Sequence, residues 1–327
     1  VCEAVEVRHH RQVRVEHAGA AEGVGVGLAH EARSDQADVQ GGFGHGFSSE
    51  IEWSGSGEQG FDELAGAGDG GERRCLARVL LGLDDDPAGV TGLAHEIGDA
   101  DIVLVATPVA QMPEIFERIA PYLGPNTIVT DGGSTKGDVV AAARAAFKGH
   151  IGKFVPAHPI AGAENSGPAA ARWNLYQGKK VVVTPLPENK DERLDRIKRA
   201  WALCGADIYE LTPEQHDRVF AAVSHLPHVL SYALVHDLAR RDNSEQFFNF
   251  AASGFRDFTR IAASHPEMWR DICLANRGAL LDELERYQAQ LSELQTALRQ
   301  GDGSVLEETF AVARAARRAW AEGKIGE

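Results

Sequence analysis

Short, continuously apolar runs alternate with amphipathic stretches through the middle of the chain. The run Asp101–Val109 (DIVLVATPV) stays apolar until a Thr-Pro pair ends it, which is typical of a strand buried on both faces of a parallel sheet. The next stretch, Glu114–Leu123, repeats apolar residues every four positions, as one face of a helix does. This alternation predicts an α/β domain built on a doubly wound parallel sheet. Further predicted strands are Thr127–Thr130, Phe154–Val155, Val181–Thr184 and Ala206–Tyr209, and further predicted helices are Asp138–Phe147 and Asp191–Cys204.

Beyond about Leu211 the pattern is helical almost to the end, which predicts an all-α C-terminal domain over residues 211–327. Six apolar residues there repeat at spacings of four and three, the seam of a coiled-coil-like helix. Such a seam packs either within its own domain or against a second subunit, and the spacing alone does not choose between them. The six residues are Leu280, Leu284, Tyr287, Leu291, Leu294 and Leu298.

The first third of the chain has neither pattern. Residues 1–100 hold 19 of the 35 glycines, and segments such as Gly41–Phe47 follow neither a two-residue nor a 3.6-residue period. Because glycine-rich sequence with few branched apolar residues offsets its chain entropy poorly, we expect residues 1–78 to be disordered or loosely packed. The abrupt change near Val79 suggests the hypothesis that this segment is out of frame or has a mis-set start. Residues 79–210 would then form the α/β domain.

The candidate for the Gly-x-Gly-x-x-Gly turn, which binds the pyrophosphate of a dinucleotide after the first strand of such a sheet, is Gly23–His30. Gly25 and Gly27 fit its first two positions, but His30 stands at the third, and the residues before them make a poor central strand. A chance match within glycine-rich sequence is the simpler interpretation.

Charge and cysteine content narrow the class of protein. The net charge is −15, of which residues 1–100 contribute 7 − 19 = −12 and residues 101–327 contribute 26 − 29 = −3. Neither part has the basic surface that nucleic acid requires, so we expect no nucleic-acid partner. No apolar run has the length of a membrane-spanning helix, and the N-terminus lacks the apolar core of a signal peptide. Four cysteines without CxxC spacing predict reduced thiols in a cytoplasmic protein.

Three segments carry candidate chemistry. Val155–Glu164 (VPAHPIAGAE) places a histidine where an apolar strand meets a Pro/Gly-rich loop, and Thr127–Lys136 (TIVTDGGSTK) is a second strand–loop unit. The third segment, Gly254–Trp269 (GFRDFTRIAASHPEMW), lies in the helical part. Together, in this order, they resemble the prephenate/arogenate dehydrogenase family of tyrosine biosynthesis over about residues 79–323. The resemblance implies a Rossmann-like domain, a helical substrate-binding and dimerisation domain, and NAD(P)-dependent oxidative decarboxylation of prephenate to 4-hydroxyphenylpyruvate.

The resemblance assigns roles to three residues. His158 matches the catalytic histidine that accepts the substrate's hydroxyl proton, a role that suits neutral imidazole, although without the resemblance a histidine that hydrogen-bonds a loop is the preferred interpretation. Ser134 matches the serine that hydrogen-bonds this histidine and the substrate hydroxyl, although its position also predicts a helix N-cap. Arg260 matches the arginine whose planar fork binds a substrate carboxylate, and its alternative is a surface salt bridge.

Four further residues are implied around the substrate. Trp269 would wall the pocket, although a tryptophan in a helix is also ordinary core. His225 and His228 stand at i and i+3 near substrate and nicotinamide; the spacing also permits a metal site, but no third ligand stands out, and we predict no metal. Glu164 matches a polar residue at the pocket mouth, or is a solvated loop acid.

The cofactor is expected at the carboxyl ends of the parallel strands. Thr107, Pro108 and Val109 match the family segment that runs beside it, and Asp131 and Gly132 are expected nearby. The resemblance implies NAD or NADP, and we favour NAD, although the acid that decides between them would fall in the atypical N-terminal segment. It also implies a homodimer.

Other functions remain open. Arogenate or cyclohexadienyl substrates are alternatives to prephenate, and a catalytically impaired dimeric homologue without the Gly-rich cofactor turn is the structural alternative. A 6-phosphogluconate-like or 3-hydroxyacid dehydrogenase would place a catalytic lysine in the helical domain. The chain has no lysine between Lys198 and Lys324, which disfavours that class.

Overall fold

The computed structural model describes residues 5–9, 48–55, 73–80, 97–98, 100–162 and 174–324, with the backbone alone for the first three ranges. Its strands are β1 (Val5–His9), β2 (Ser48–Gly55), β3 (Arg73–Leu80), β4 (Ile102–Val105), β5 (Ile128–Asp131), β6 (Phe154–Val155), β7 (Ala157–Pro159), β8 (Lys180–Val183) and β9 (Asp207–Glu210). Its α-helices are α1 (Met112–Ile119), α2 (Gly137–Phe147), α3 (Arg193–Leu203), α4 (Pro213–Phe220), α5 (Leu226–Ala239), α6 (Ser244–Asn249), α7 (Ser253–Thr259), α8 (Pro266–Ala275), α9 (Arg277–Gln300) and α10 (Gly303–Ala321).

The main sheet joins the described strands in the order β1-β2-β3-β4-β5-β6. Strands β3 to β6 run parallel, which confirms the predicted parallel sheet, whereas β1 and β2 pair antiparallel at one edge. Ile102 pairs with Ile128, and Val105 pairs with Asp131, so β4 and β5 end level with each other. The segments that follow these two strands therefore emerge side by side, at the edge where open parallel sheets bind ligands.

The central strands are buried on both faces because their side chains alternate between two apolar clusters. Val103, Val105 and Val129 lie in one cluster with side chains of α1 and α2. Ile102 and Ile128 lie in the other, with side chains of α3. The continuous apolar runs of the sequence thus have the two-sided burial that they predict.

A second sheet contains β7, β8 and β9, with β7 antiparallel and β9 parallel to β8. The predicted strands Val181–Thr184 and Ala206–Tyr209 therefore belong here and not to the main sheet. Gly205 leads from α3 into β9 with a φ of +80°, a left-handed conformation that glycine adopts without strain.

Helix α4 starts with a capping box. The Thr212 hydroxyl accepts from the Gln215 amide at 3.1 Å, and the Gln215 side chain accepts from the Thr212 amide at 2.9 Å, with Pro213 in the first turn. A π-helical turn, Ala221–His225, then joins α4 to α5. Such turns alter the face that a helix presents and are frequent at functional sites.

The chain divides into two compact units, residues 1–276 and residues 277–327. In the second unit, Asp302 caps α10 by accepting two amides of its first turn at 3.1 Å. The predicted coiled-coil-like seam lies along α9, and Leu291 and Leu298 of this seam are exposed.

Regular structure extends into residues 1–78, where the sequence predicts a disordered or loosely packed segment. The structure assigns β1, β2 and most of β3 to it, and their backbones pair in one sheet. These strands are regular structure within the segment, and the expectation of loose packing or disorder for the segment stays a prediction. The rest of the segment lies outside the described residues, and the reading-frame hypothesis stays a prediction.

Candidate active site

His158 lies where the chain passes from one sheet to the other. Strand β6 belongs to the main sheet and β7 to the second sheet, with Pro156 between them. The sequence predicts His158 in a loop, but the structure places it in the middle of β7, opposite Val182 of β8. Strand pairing holds its backbone more firmly than a loop would, so the position of the imidazole is well defined.

Two residues of α4 continue from His158 as a hydrogen-bonded chain. Nδ1 of His158 lies 2.8 Å from Nε2 of His216, and Nδ1 of His216 lies 2.8 Å from Oδ1 of Asp217. Phe220, one turn further along α4, packs on both imidazoles, with ring centroids 4.9 Å from His158 and 4.5 Å from His216. His216 is fully buried by these contacts.

The Asp217 carboxylate also caps helix α2. Its Oδ1 accepts from the Lys136 amide and its Oδ2 from the Gly137 amide, both at 2.8 Å. Negative charge is favourable there because it satisfies free amides at the positive end of the helix dipole. Lys136 occupies the N-cap position, so the N-cap interpretation of Ser134 is wrong. No hydrogen bond joins Ser134 to His158 in the part of the chain that the structure describes.

This chain of hydrogen bonds determines which nitrogens carry protons. Burial acts to raise the pKa of Asp217, but hydrogen bonds from His216 and from the amides of Gly137 and Lys136 hold it below its usual value. Asp217 is therefore a carboxylate and can only accept, so Nδ1 of His216 carries a proton and its Nε2 accepts. Nδ1 of His158 must then donate, which leaves a lone pair on its Nε2.

The surroundings of His158 keep it neutral. Burial lowers its pKa well below the ordinary value, and the positive charge of Lys136 lowers it further, with smaller contributions from His216 and His225. A neutral imidazole with an unprotonated Nε2 can accept a proton from a hydroxyl group within hydrogen-bond reach.

A buried ion pair adjoins the histidines. Nζ of Lys136 donates to Oδ2 of Asp131, and neither side chain is exposed. Asp131 also accepts from the amides of Gly133 at 2.8 Å and Ala157 at 3.1 Å. Removing one partner of a buried pair leaves an uncompensated charge, at a cost of about 3–5 kcal/mol. The pair therefore fixes the end of β5 against the strand that carries His158.

His225 and His228 flank the junction of the π-helical turn with α5. Nδ2 of Asn276 donates to Nδ1 of His225 at 3.1 Å and to the Asp217 carbonyl at 2.7 Å, which ties the end of α8 to α4. Burial lowers the pKa of His225 to about 4. Nδ1 of His228 donates to the Ser224 carbonyl at 2.8 Å, which leaves Nε2 of neutral His228 as an acceptor.

Trp269 contacts both of these histidines. Its ring stacks on His228 with centroids 3.5 Å apart, and meets that of His225 edge-on at 6.1 Å. Its Nε1 is buried and has no hydrogen-bond partner among the described residues. Burial lowers the pKa of His228, and the positive charge of Arg260 lowers it further. The structure thus brings together four residues that the sequence predicts at one site.

The carboxyl edge of the main sheet carries the predicted cofactor segment. Thr107 is buried, and its hydroxyl has no partner among the described residues. Pro108 is exposed, whereas Val109 belongs to the apolar core. Gly132 continues β5 by donating its amide to the Val105 carbonyl at 3.0 Å. A buried, unpaired hydroxyl beside an exposed backbone turn fits one side of a nucleotide site.

Other predicted residues are less directly placed. Asp131, expected beside the cofactor, is fully buried and bonded to Lys136 and backbone amides instead. Gly25, Gly27 and Glu164 lie outside the described residues.

The sequence analysis missed four residues of this arrangement: Lys136, His216, Asp217 and Asn276. The capping box at Thr212 was the available signal for two of them, since it fixes the start of α4 and so places His216 and Asp217 in the first turns. For Lys136 and Asn276, no local pattern predicts the contacts. Asn276 bonds Asp217 across 59 positions of sequence, and Lys136 bonds Asp217 across 81 positions.

Within the described residues, no group of three His, Cys, Asp or Glu side chains could hold a metal ion. One helical stretch, Pro213–Ala239, could cross a membrane by length and composition alone, with a mean hydropathy of 1.2. It comprises α4, the π-helical turn and α5, and it carries the hydrogen-bonded histidines of the site.

The chain combines a parallel sheet of the nucleotide-binding type with the helices that follow it. These helices complete a site that contains several histidines. Residues 58–210 match the family described as prephenate dehydrogenase, nucleotide-binding domain. Residues 212–312 match prephenate dehydrogenase, dimerization domain. The chain therefore belongs to the prephenate dehydrogenase family. The match begins earlier, and ends earlier, than the span of about 79–323 that the sequence motifs indicate.

Curated relatives agree with this assignment. The cyclohexadienyl dehydrogenase of Zymomonas mobilis is 37% identical over 225 residues, which are 68% of this chain and 76% of that protein. The prephenate dehydrogenase of Bacillus subtilis is 34% identical over 245 residues, which are 74% of this chain but 65% of that protein. The shared part is thus somewhat shorter than the Bacillus protein.

Solved structures show the same fold. The prephenate dehydrogenase of Aquifex aeolicus, crystallised with hydroxyphenyl propionate and NAD+, superposes with a TM-score of 0.64 at 33% identity, over 73% of this chain and 88% of that chain. Synechocystis arogenate dehydrogenase gives a TM-score of 0.62 at 27% identity, over 73% and 90% of the two chains.

The depressed pKa of His225 predicts a pH-dependent stability. As pH falls below 6.5 the unfolded chain binds protons at this histidine before the folded chain does, so the free energy of unfolding falls until the pH reaches about 4. The gap between the pKa values of the unfolded and folded chains corresponds to a loss of as much as about 3 kcal/mol in the free energy of unfolding. His225→Asn retains an acceptor for Asn276 but does not titrate. Urea unfolding at pH 7 and pH 4.5 should show a smaller loss for this variant than for wild type. The same change at exposed His236 is the control, and equal losses in wild type and His225→Asn would contradict the account.

Proposed function

We propose that this protein is an NAD-dependent prephenate dehydrogenase, which converts prephenate to 4-hydroxyphenylpyruvate and carbon dioxide. The observation that carries the proposal is the neutral His158 with an unprotonated Nε2, held by His216 and Asp217. Oxidation of an alcohol to a carbonyl requires a base for the hydroxyl proton, and such an imidazole supplies one. The sequence relatives and the Aquifex structure support the substrate class.

In this proposal the chain's own residues bind and orient the substrate. Nε2 of His158 accepts the proton of the ring hydroxyl, and Ser134 would hydrogen-bond the same hydroxyl. The Arg260 guanidinium binds a carboxylate of the substrate through two parallel hydrogen bonds. His228 and Trp269, whose rings stack on each other, line the substrate pocket in this proposal. The nicotinamide, when bound, supplies the hydride acceptor, and aromatisation of the ring drives the loss of carbon dioxide.

Support for a dinucleotide comes from the edge of the main sheet. The unpaired Thr107 hydroxyl and the exposed turn at Pro108 are the groups that would hold it, together with Gly132. NAD is favoured over NADP because the related Aquifex enzyme was crystallised with NAD+. In addition, residues 81–97 after β3 contain four acids and neither lysine nor arginine, which suits a ribose hydroxyl better than a phosphate.

Arogenate is the substrate alternative, because the Zymomonas relative is a cyclohexadienyl dehydrogenase and the Synechocystis structure is an arogenate dehydrogenase. The two substrates share the ring acid and hydroxyl and differ in a side-chain keto or amino group. Prephenate is preferred in this proposal because the Bacillus and Aquifex relatives are prephenate dehydrogenases.

A second candidate is a homologue that folds but does not bind the cofactor. It is favoured by the glycine-rich N-terminal segment, because the family match starts only at residue 58 and the candidate turn Gly23–His30 lacks its third glycine. The two candidates differ in one property, the affinity for NAD.

We also propose that the protein is a cytoplasmic homodimer. The family's dimerization domain is present in residues 212–312. Large apolar side chains of α9 and α10 are exposed, so they would contact water if the protein were a monomer. They include Leu281, Leu291, Leu298, Val305, Phe310, Val312 and Trp320.

Replacing the base should separate turnover from substrate binding. His158→Asn keeps an amide that can donate to His216 but offers no base, so kcat for NADH formation with prephenate should fall about 10²–10⁴-fold, with KM changed less than about threefold. His236→Asn, at an exposed site on α5, serves as the control. A kcat within threefold of wild type would exclude His158 as the proton acceptor.

The arginine should affect binding more than chemistry. Arg260→Lys keeps the positive charge but loses the planar fork, so KM for prephenate should rise about 10-fold or more while kcat changes little. Arg256→Lys is the matched control, since Arg256 is an exposed arginine one turn earlier. An unchanged KM in Arg260→Lys would remove Arg260 from the carboxylate site.

A further inference from the structure

The pair His216 and Asp217 has no role in the proposed function beyond holding His158. Both side chains are shielded: His216 is fully buried, and Asp217 is largely covered by α2 and the end of α8. Burying a histidine next to a carboxylate costs solvation free energy that a plain apolar contact would not. Two hydrogen bonds of 2.8 Å form a continuous path from His158 through His216 to Asp217, along which a proton can move.

The charged groups around the two imidazoles differ. Around His158 lie Lys136, His216 and His225, and each disfavours a positive charge there. Around His216 burial and Lys136 act in the same direction, but the carboxylates of Asp217 and Asp131 favour its charged form. A positive charge is therefore better tolerated on His216 than on His158, although the two rings are in direct contact.

We propose that His216 and Asp217 form a proton relay for His158, so that the proton taken from the substrate ends as a charge on His216. This inference rests on the proposed function. The substrate O–H bond breaks and an N–H bond forms at Nε2 of His158; the nicotinamide, when bound, would accept the hydride from the carbon that bears this hydroxyl. In the same step the proton on Nδ1 of His158 moves to Nε2 of His216. His158 is again neutral, in its other tautomer, and His216 is an imidazolium beside the Asp217 carboxylate.

The relay makes His216 and Asp217 positioning residues as well, because they set the tautomer of His158 before substrate binds. The two roles separate by substitution. In His216→Gln the side-chain oxygen can still accept from Nδ1 of His158 but cannot take up a proton. In Asp217→Asn the oxygen can still accept from Nδ1 of His216, but the negative charge that stabilises the imidazolium is gone.

Kinetics test the relay through proton transfer. Both His216→Gln and Asp217→Asn should lower kcat about 10²-fold, with KM for prephenate within about threefold of wild type. The rate of wild type in mixtures of H2O and D2O should depend non-linearly on the deuterium fraction, since two protons move together, and the dependence should become linear in His216→Gln. Glu214→Gln is the matched control: it removes an exposed carboxylate from the first turn of α4, the helix that carries His216 and Asp217, and should keep the wild-type rate. Equal kcat in wild type and His216→Gln would overturn the relay.

A spectroscopic arm does not depend on turnover or on how well Asp217→Asn folds. In the full-length chain labelled with ¹⁵N-histidine, His158 should be protonated at Nδ1 and unprotonated at Nε2 at neutral pH. On acidification, His216 should become an imidazolium at a higher pH than His158 does. A His158 protonated at Nε2, or one that ionises before His216, would overturn the relay. If these spectra are as expected and prephenate is not oxidised, the proposed function fails while the proton-accepting order stands.

Discussion

The position of one carboxylate, Asp217, is the constraint on which the site depends. Its two oxygens accept from the first amides of α2 and from His216, and its backbone carbonyl accepts from Asn276. Three separate stretches of chain, the start of α2, the start of α4 and the end of α8, therefore meet at a single residue. None of these contacts is local in sequence except that to His216, so the site exists only when the helices have packed against the sheet.

The second constraint is the balance of buried charge. Lys136 and Asp131 are fully buried and neutralise each other, and the Lys136 ammonium lies close enough to lower the pKa of His158. An isolated buried ammonium would be costly, so the ion pair is what permits a positive charge next to the His158 imidazole. His158 therefore stays neutral at pH values below its ordinary pKa. The negative charge of Asp217 contacts His216, which lies between it and His158. The same packing that stabilises the domain thus sets the protonation state on which the chemistry depends.

The sequence predicts the parts of this protein that are determined locally. Strands β4 and β5 follow from continuous apolar runs, and the long helix α9 from its 3-4 repeat of apolar residues. The motifs around His158 and Arg260 are sufficient to indicate the family, which the matches over residues 58–210 and 212–312 show.

What the sequence could not supply depends on contacts between distant segments. Strand β8 reads like a member of the main sheet, and only its pairing with β7 places it in the second one. Ser134 is of a residue type that often caps a helix, but the first amides of α2 donate instead to the Asp217 carboxylate from α4. His216 and Asp217 carry no motif of their own, because their importance comes from what lies opposite them in the fold.

The most direct test of the account is NADH formation by the complete chain supplied with NAD+ and prephenate. We expect NADH and carbon dioxide in equal amounts, at a rate that His158→Asn lowers about 10²–10⁴-fold. A folded protein that neither binds NAD+ in calorimetry nor forms NADH would contradict the account. Such a protein would be a member of the family with an intact helical site and without a working cofactor site.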